Sequence, residues 1–104
     1  MNLMKVVYSP RADQLKEKIL REYSGMNTYF DQLENNIQQS PYEAAEEKIV
    51  AEGIPVTAYK RNVKTGLFSG NLFFSYLYLS LSYVVNEPKE QIVIIGAYIR
   101  TYAD

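Results

Sequence analysis

The sequence predicts a single α+β domain over residues 1–104, in which an N-terminal strand and two to three helices precede a three-stranded antiparallel meander. Two observations support this class. A serine followed by a proline, a common helix start, occurs twice in the first half, at Ser9 and Ser40. After Gly53 the apolar residues alternate with a period of two, which is typical of strands. We expect the helices to pack on one face of the sheet, because their apolar stripes need a partner surface.

The first half reads as one short strand followed by helices. Lys5 to Tyr8 (KVVY) is predicted as a strand that ends at Ser9, and Pro10 then begins a helix that runs to Gly25. A second helix is predicted from about Thr28 to Gln39. The next serine and proline predict a third helix, Pro41 to Glu52, with Gly53 as its stop.

The second half reads as extended. Strands are predicted at Val56–Val63, Leu72–Val85 and Gln91–Tyr102, with turns at Gly66–Asn71 and Asn86–Lys89. The middle strand, LFFSYLYLSLSYVV, carries no charge. As a helix it would be about 21 Å long, shorter than the roughly 30 Å of a membrane interior. Its odd positions are mostly aliphatic and its even positions are rich in tyrosine and serine, so we interpret it as a strand with one buried face and no membrane partner.

Composition excludes several kinds of site. The chain has no cysteine and no histidine, which excludes disulfides, the usual zinc sites and any nucleophile paired with histidine. No cofactor or metal is expected, and the acidic residues Glu43, Glu46 and Glu47 are interpreted as the exposed side of the third helix. The net charge of −1 argues against binding nucleic acid through overall charge. The opening residues lack a secretory signal, so a cytoplasmic location is expected.

Three segments resemble the RelE/ParE toxin superfamily over nearly the whole chain. VVYSPRADQLKEKILREY resembles the opening strand and first helix of that family, and FDQLENNIQQSPYEA resembles its second helix. LSYVVNEPKEQIVIIGAY resembles its last two strands. The resemblance implies a RelE/ParE-like fold and the toxin of a plasmid-stabilisation type of toxin–antitoxin system. It implies as partners a small antitoxin protein and either the ribosome with mRNA or a DNA topoisomerase.

The nuclease branch of this family is a metal-independent mRNA interferase, and its active-site pattern transfers only in part. The family places Lys or Arg in the second strand of its sheet, and Lys60, Arg61 and Lys64 supply candidates for binding RNA or a partner. In the next strand Ser80 stands where the family has an arginine. A serine cannot replace the fixed charge of a guanidinium on a phosphate.

The family's last strand carries glycine, then histidine or lysine, then arginine, with a tyrosine after them. Here the corresponding tripeptide ends in Tyr98, with Arg100 two residues later and Tyr102 following. The resemblance therefore implies Arg100, Tyr98 and Tyr102 as candidate catalytic residues, with Arg100 stabilising developing charge and a tyrosine in proton transfer or base stacking.

Several alternatives stay open from the residues alone. Lys60 and Lys64 share one side of a strand while Arg61 faces the other, and all three could be a solvated surface. Tyr76 and Tyr78, with Tyr98, could stack bases, bind a protein partner or lie under a second layer or a homodimer partner. Three functions follow: an RNA-cleaving toxin, a non-enzymatic binding module of the same fold, or a homo-oligomeric structural protein.

Overall fold

The computed structural model describes residues 3–68 and 75–103. Its elements follow the chain in the order β1 (Lys5–Tyr8), α1 (Pro10–Glu22), α2 (Met26–Gln39), β2 (Ala45–Ala51), β3 (Ile54–Phe68), β4 (Ser75–Asn86) and β5 (Gln91–Ala103). The strands form one five-stranded mixed sheet in the order β1-β5-β4-β3-β2. The pairs β2–β3, β3–β4 and β4–β5 are antiparallel. The pair β1–β5, at one edge of the sheet, is parallel.

This architecture corrects the predicted fold class. The predicted three-stranded meander is wrong, because the sheet is mixed and has five strands, with β1 and β2 at its two edges. The error lies in the segment Pro41 to Glu52, where the predicted third helix is replaced by β2. Alanine, glutamate and lysine favour helices locally, but seven consecutive residue pairs tie β2 to β3, from Ala45 opposite Lys60 to Ala51 opposite Ile54.

A tight turn explains how β2 and β3 form a hairpin. Glu52 and Gly53, the two residues between the strands, both have positive φ, 52° and 79°. Two positive φ values belong to a type I′ turn, whose twist matches that of the flanking strands. Gly53, predicted as a helix stop, is therefore the second residue of a hairpin turn.

The first helix begins as its sequence predicts. The Ser9 side chain accepts a hydrogen bond of 3.2 Å from the Ala12 backbone N–H, and Pro10 occupies the first turn. The second helix begins at Met26, two residues before the predicted start, and ends at Gln39 as predicted. The signal at Ser40 and Pro41 therefore ends a helix instead of starting one.

The core lies between the two helices and one face of the sheet, which we call the helix face. The helices contribute one apolar stripe each, and β4 and β5 contribute alternate side chains. The buried members of this cluster are Ala12, Ile19, Met26, Phe30, Leu33, Ile37, Leu79, Leu81, Tyr83, Ile92, Ile94 and Ala97. Within the described residues no helix lies on the opposite face, which we call the open face.

A β-bulge in β5 decides which residues reach each face. Ser82 pairs with Gly96 but Tyr83 pairs with Ile94, so Ile95 is an extra residue in β5. Before the bulge the even-numbered Ile92 and Ile94 are buried in the core, and after it the odd-numbered Ala97 is. The bulge therefore turns Gly96 and the even positions that follow it to the open face.

The long uncharged segment is a strand over the part that is described. β4 begins at Ser75, while residues 72–74 of the predicted strand and residues 69–71 of the predicted turn at Gly66–Asn71 lie outside the described residues. Residues 66–68 of that turn belong to β3. No helix in the described ranges is long and apolar enough to cross a membrane.

Candidate functional site

The open face gathers most of the residues that the sequence singled out. Lys64 pairs with Tyr78, which pairs with Arg100, so these three side chains form a row across β3, β4 and β5. Opposed residues of antiparallel strands point to the same side of the sheet. The next row along contains Asn62, Ser80 and Tyr98, and the third contains Lys60, Ser82 and Gly96. We call Lys60, Lys64, Tyr76, Tyr78, Ser80, Tyr98 and Arg100 the cation–tyrosine patch.

Lysine and tyrosine are in direct contact within this patch. The Lys64 ammonium lies 4.0 Å from the centroid of the Tyr76 ring, which is cation–π distance. Lys64 and Arg100 are exposed, and Tyr76 and Tyr78 are half-buried. None of the positions in the three rows is acidic, so the cations of the patch face no carboxylate within those rows.

A glycine allows the Tyr98 ring to lie close to the strand. A Cβ atom placed on Gly96 would lie 2.6 Å from the Tyr98 hydroxyl oxygen and 2.8 Å from its ring, so the ring covers the Gly96 backbone. Tyr98 still has 43% of its surface exposed. The tyrosine therefore presents a ring on the open face, next to the row that holds Arg100.

Ser80 lies at the centre of the patch and is fully buried. Its hydroxyl oxygen has no hydrogen-bond partner among the described residues. An unpaired buried hydroxyl costs about 1–3 kcal/mol. The RelE/ParE resemblance implies an arginine at this position, and the buried serine carries no charge there.

Arg61 lies on the helix face, opposite Lys60 and Lys64. Its guanidinium donates hydrogen bonds of 2.9 Å to the Asn36 carbonyl and 3.0 Å to the Ser40 carbonyl, at the end of α2. A cation at this end satisfies free carbonyls and interacts favourably with the helix dipole. The structure thus gives Arg61 a helix-capping contact and separates it from the two lysines with which it was grouped.

The candidate catalytic residues are brought together in part. Tyr98 and Arg100 lie on the open face in adjacent rows. The Tyr102 backbone pairs with Tyr76, while its side chain lies outside the described part of the chain. The patch offers amines, a guanidinium, phenols and hydroxyls. These groups can bind phosphates and stack on bases, but the patch contains neither a carboxylate nor an imidazole to accept a proton.

A second aromatic group, which the sequence analysis missed, lies on the helix face beyond α2. The Tyr59 ring stacks on Tyr83 with centroids 5.6 Å apart and meets Tyr42 edge-on at the same distance. The Tyr83 hydroxyl donates a hydrogen bond of 2.6 Å to the Pro41 carbonyl. Burial raises the pKa of Tyr83 to about 12, against a smaller opposing effect of the Arg61 cation. In the sequence, the period of two places Thr57 and Tyr59 on the same side of β3. This was the one signal that could have indicated the group.

A third polar cluster joins β1 to both helices. The Tyr8 hydroxyl donates a hydrogen bond of 2.7 Å to the Glu34 carboxylate, which also pairs with Lys16 at 3.2 Å. Burial, and then the bond to Glu34, raises the pKa of Tyr8 well above its usual range. The Lys16 ammonium lies 4.7 Å from the centroid of the Tyr8 ring. This cluster connects β1 to both helices through part-buried polar contacts.

The described residues contain no group of three or more acidic side chains that could hold a metal ion. The three glutamates interpreted as one helix side do not share a helix: Glu43 precedes β2, and Glu46 and Glu47 are consecutive in that strand and so point to opposite faces.

No protein-family model, curated protein or solved structure matches this chain. The resemblance to the RelE/ParE superfamily therefore rests on the sequence segments given above.

Proposed function

We propose that this protein is a RelE/ParE-type toxin that acts in the cytoplasm by holding single-stranded RNA on the cation–tyrosine patch, under the control of a small antitoxin. The observation that supports it best is the row formed by Lys64, Tyr78 and Arg100. Cations and aromatic rings on one sheet face are the combination that binds single strands, because the cations contact phosphates and the rings stack on bases.

The spacing of the patch suits a strand of nucleic acid. Lys60 and Lys64 are four residues apart on β3, which places their Cα atoms about 13 Å apart, and Arg100 lies two strands away from Lys64, at about 10 Å. Long side chains at these positions can therefore contact different phosphates of one strand, with Tyr78 and Tyr98 between the cations. The acidic remainder of the molecule explains a net charge of −1 without opposing a local basic surface.

We propose RNA binding, and not RNA cleavage, as the main activity of the patch. Cleavage by the RNA's own 2′-hydroxyl needs a proton acceptor and fixed cations around the phosphate. Ser80 is buried where the resemblance expects an arginine, and the chain has no histidine. Lys60, Lys64 and the phenol of Tyr98 are the groups left for proton transfer. The same loss of an arginine favours a second candidate, a non-enzymatic binding module in which the tyrosines contact a protein target.

Fluorescence anisotropy with a labelled single-stranded RNA tests the binding step. We expect the affinity to fall with salt with a logarithmic slope of about −2, since three cations each contribute about 0.7. Replacing Lys64 or Arg100 by glutamine should reduce the slope by about 0.7. Lys89→Gln, which removes the same charge from an exposed position in the turn between β4 and β5, is the matched control and should leave the slope unchanged.

Expression in bacteria tests the toxin step separately. Growth should stop when the protein is produced alone and recover when a small antitoxin from a neighbouring reading frame is produced with it. Harmless expression would refute the toxin function even if RNA binds. Toxicity without any RNA binding, combined with a protein partner that is lost when Tyr76 and Tyr78 become alanine, would favour the second candidate. Cell-free translation then shows whether mRNA is cut.

A further inference from the structure

A cleft on the helix face lies at the end of the sheet that α2 does not reach, and the proposed function uses none of its residues. It has a volume of about 430 Å³ and lies between the β2–β3 hairpin and the turn that joins β4 to β5. Its walls include Tyr42, Thr57, Tyr59, Val85 and Glu87. The cleft therefore combines two aromatic rings with one carboxylate.

The two rings form a fixed corner. Tyr42 and Tyr59 have centroids 5.6 Å apart and ring planes at 73°. Tyr59 is held by its stacking on the buried Tyr83. The Tyr83 hydroxyl in turn donates a hydrogen bond to the carbonyl of Pro41, the residue before Tyr42. Both walls are thus positioned by buried groups before any ligand arrives.

The charge of this corner is negative at Glu87, whose carboxylate forms no ion pair among the described residues. Glu87 accepts a hydrogen bond from the Tyr42 hydroxyl. The ion pair present among the described residues joins Lys16 to Glu34, so Glu87 has no lysine or arginine at ion-pair distance. Glu46, opposite Tyr59 on β2, adds a second carboxylate on the same side of the sheet.

One cation does lie at the edge of this region. Lys48 is opposite Thr57, and its ammonium donates a hydrogen bond to the Thr57 hydroxyl. Its charge would repel a positive ligand and attract a negative one. Lys48 therefore provides a test of the sign of the ligand.

We propose that this cleft binds an organic cation, either a guanidinium or an alkylated ammonium group. The faces of aromatic rings attract such cations, and two rings at a steep angle with a carboxylate can contact one cation on several sides. A free small molecule and the side chain of a polypeptide are the two sources of such a cation, and both share this chemistry.

Amide chemical shifts measured by NMR test the proposal on the full chain. The probes are choline, its neutral isostere 3,3-dimethyl-1-butanol, and acetyl-arginine amide. We expect saturable shifts at Thr57, Tyr59 and Glu87 with at least one of the two cations and none with the neutral alcohol. Saturation by choline alone assigns a free ammonium ligand, and saturation by acetyl-arginine amide alone assigns an arginine side chain. Saturation by both supports the shared chemistry, whereas no saturation, or equal shifts with the alcohol, would overturn the proposal.

Variants of the cleft residues test where the ligand binds and whether its charge is positive. Tyr42→Leu keeps an apolar side chain at a half-exposed position but removes the ring, and should weaken binding about two- to fivefold. Glu87→Gln should weaken it about threefold or more, while Glu22→Gln, an equal charge change on α1, should leave it unchanged. Lys48→Gln should tighten binding. Weaker binding in Lys48→Gln would mean that the cleft prefers an anion and would refute the proposal.

Discussion

Replacing Arg61 by glutamine should destabilise the fold and leave RNA binding intact. The substitution removes hydrogen bonds from a charged donor to the carbonyls of Asn36 and Ser40, one of them exposed and the other partly buried. A hydrogen bond involving a charged group contributes about 1.5–3 kcal/mol when shielded and less when exposed. We expect the free energy of unfolding to fall by about 2 kcal/mol. For a domain of about 100 residues this lowers Tm by about 10 °C.

Urea denaturation followed by circular dichroism measures this loss, and RNA anisotropy is measured on the same samples below the new Tm. Arg100→Gln is the matched control, because it removes an exposed arginine from the open face and should change stability by less than about 0.5 kcal/mol. The two substitutions should therefore have different effects: Arg61→Gln should lower stability, and Arg100→Gln should weaken RNA binding. Unchanged stability in Arg61→Gln together with weakened RNA binding would show that the capping argument is wrong and that Arg61 contacts the ligand.

Two further predictions concern single side chains. Gly96→Ala should push the Tyr98 ring away from β5 and lower stability by about 1 kcal/mol, because the new Cβ would lie 2.6 Å from the Tyr98 hydroxyl oxygen. A double-mutant cycle with Tyr98→Ala should then show coupling of about 0.5 kcal/mol or more, and strictly additive effects would contradict the close contact. Between pH 10 and 12 the free energy of unfolding should fall, because burial raises the pKa of Tyr83 to about 12 and the folded state keeps a proton that the unfolded state releases. Urea midpoints at pH 8 and pH 11 should show a smaller fall for Tyr83→Phe, and an equal fall in both proteins would exclude Tyr83 as a source.

The parts of the fold that could be predicted depend on local signals. Ser9 and Pro10 start α1 through a side-chain cap and a fixed φ, both properties of neighbouring residues. β2 could not be predicted in this way, because its alanine, glutamates and lysine favour a helix until β3 supplies a pairing edge. The Glu52-Gly53 turn that brings the strands together also lacks the asparagine or aspartate usual before glycine in a type I′ turn.

In the candidate site, too, features set by neighbouring residues could be predicted and contacts between distant residues could not. Alternation along β3 indicated that Lys60 and Lys64 share a face and that Arg61 does not, and their register positions agree with this. The contact of Arg61 with the end of α2 is different, because it joins residues more than twenty positions apart. The bulge at Ile95 could not be predicted either. An inserted residue shifts the alternation of inward and outward side chains, and the adjacent glycine is the one sequence feature that accompanies it.

The parallel pairing of β1 with β5 has a consequence for protein synthesis. β1 is the first described strand to leave the ribosome, and the strand beside it in the sheet is the last. Contacts between distant parts of a chain slow folding, because a long loop must close before they form. Tyr98 and Arg100 also lie on that last strand. A nascent chain therefore lacks both the neighbour of its first strand and one side of the cation–tyrosine patch, so the proposed RNA-binding surface forms only after β5 has been made.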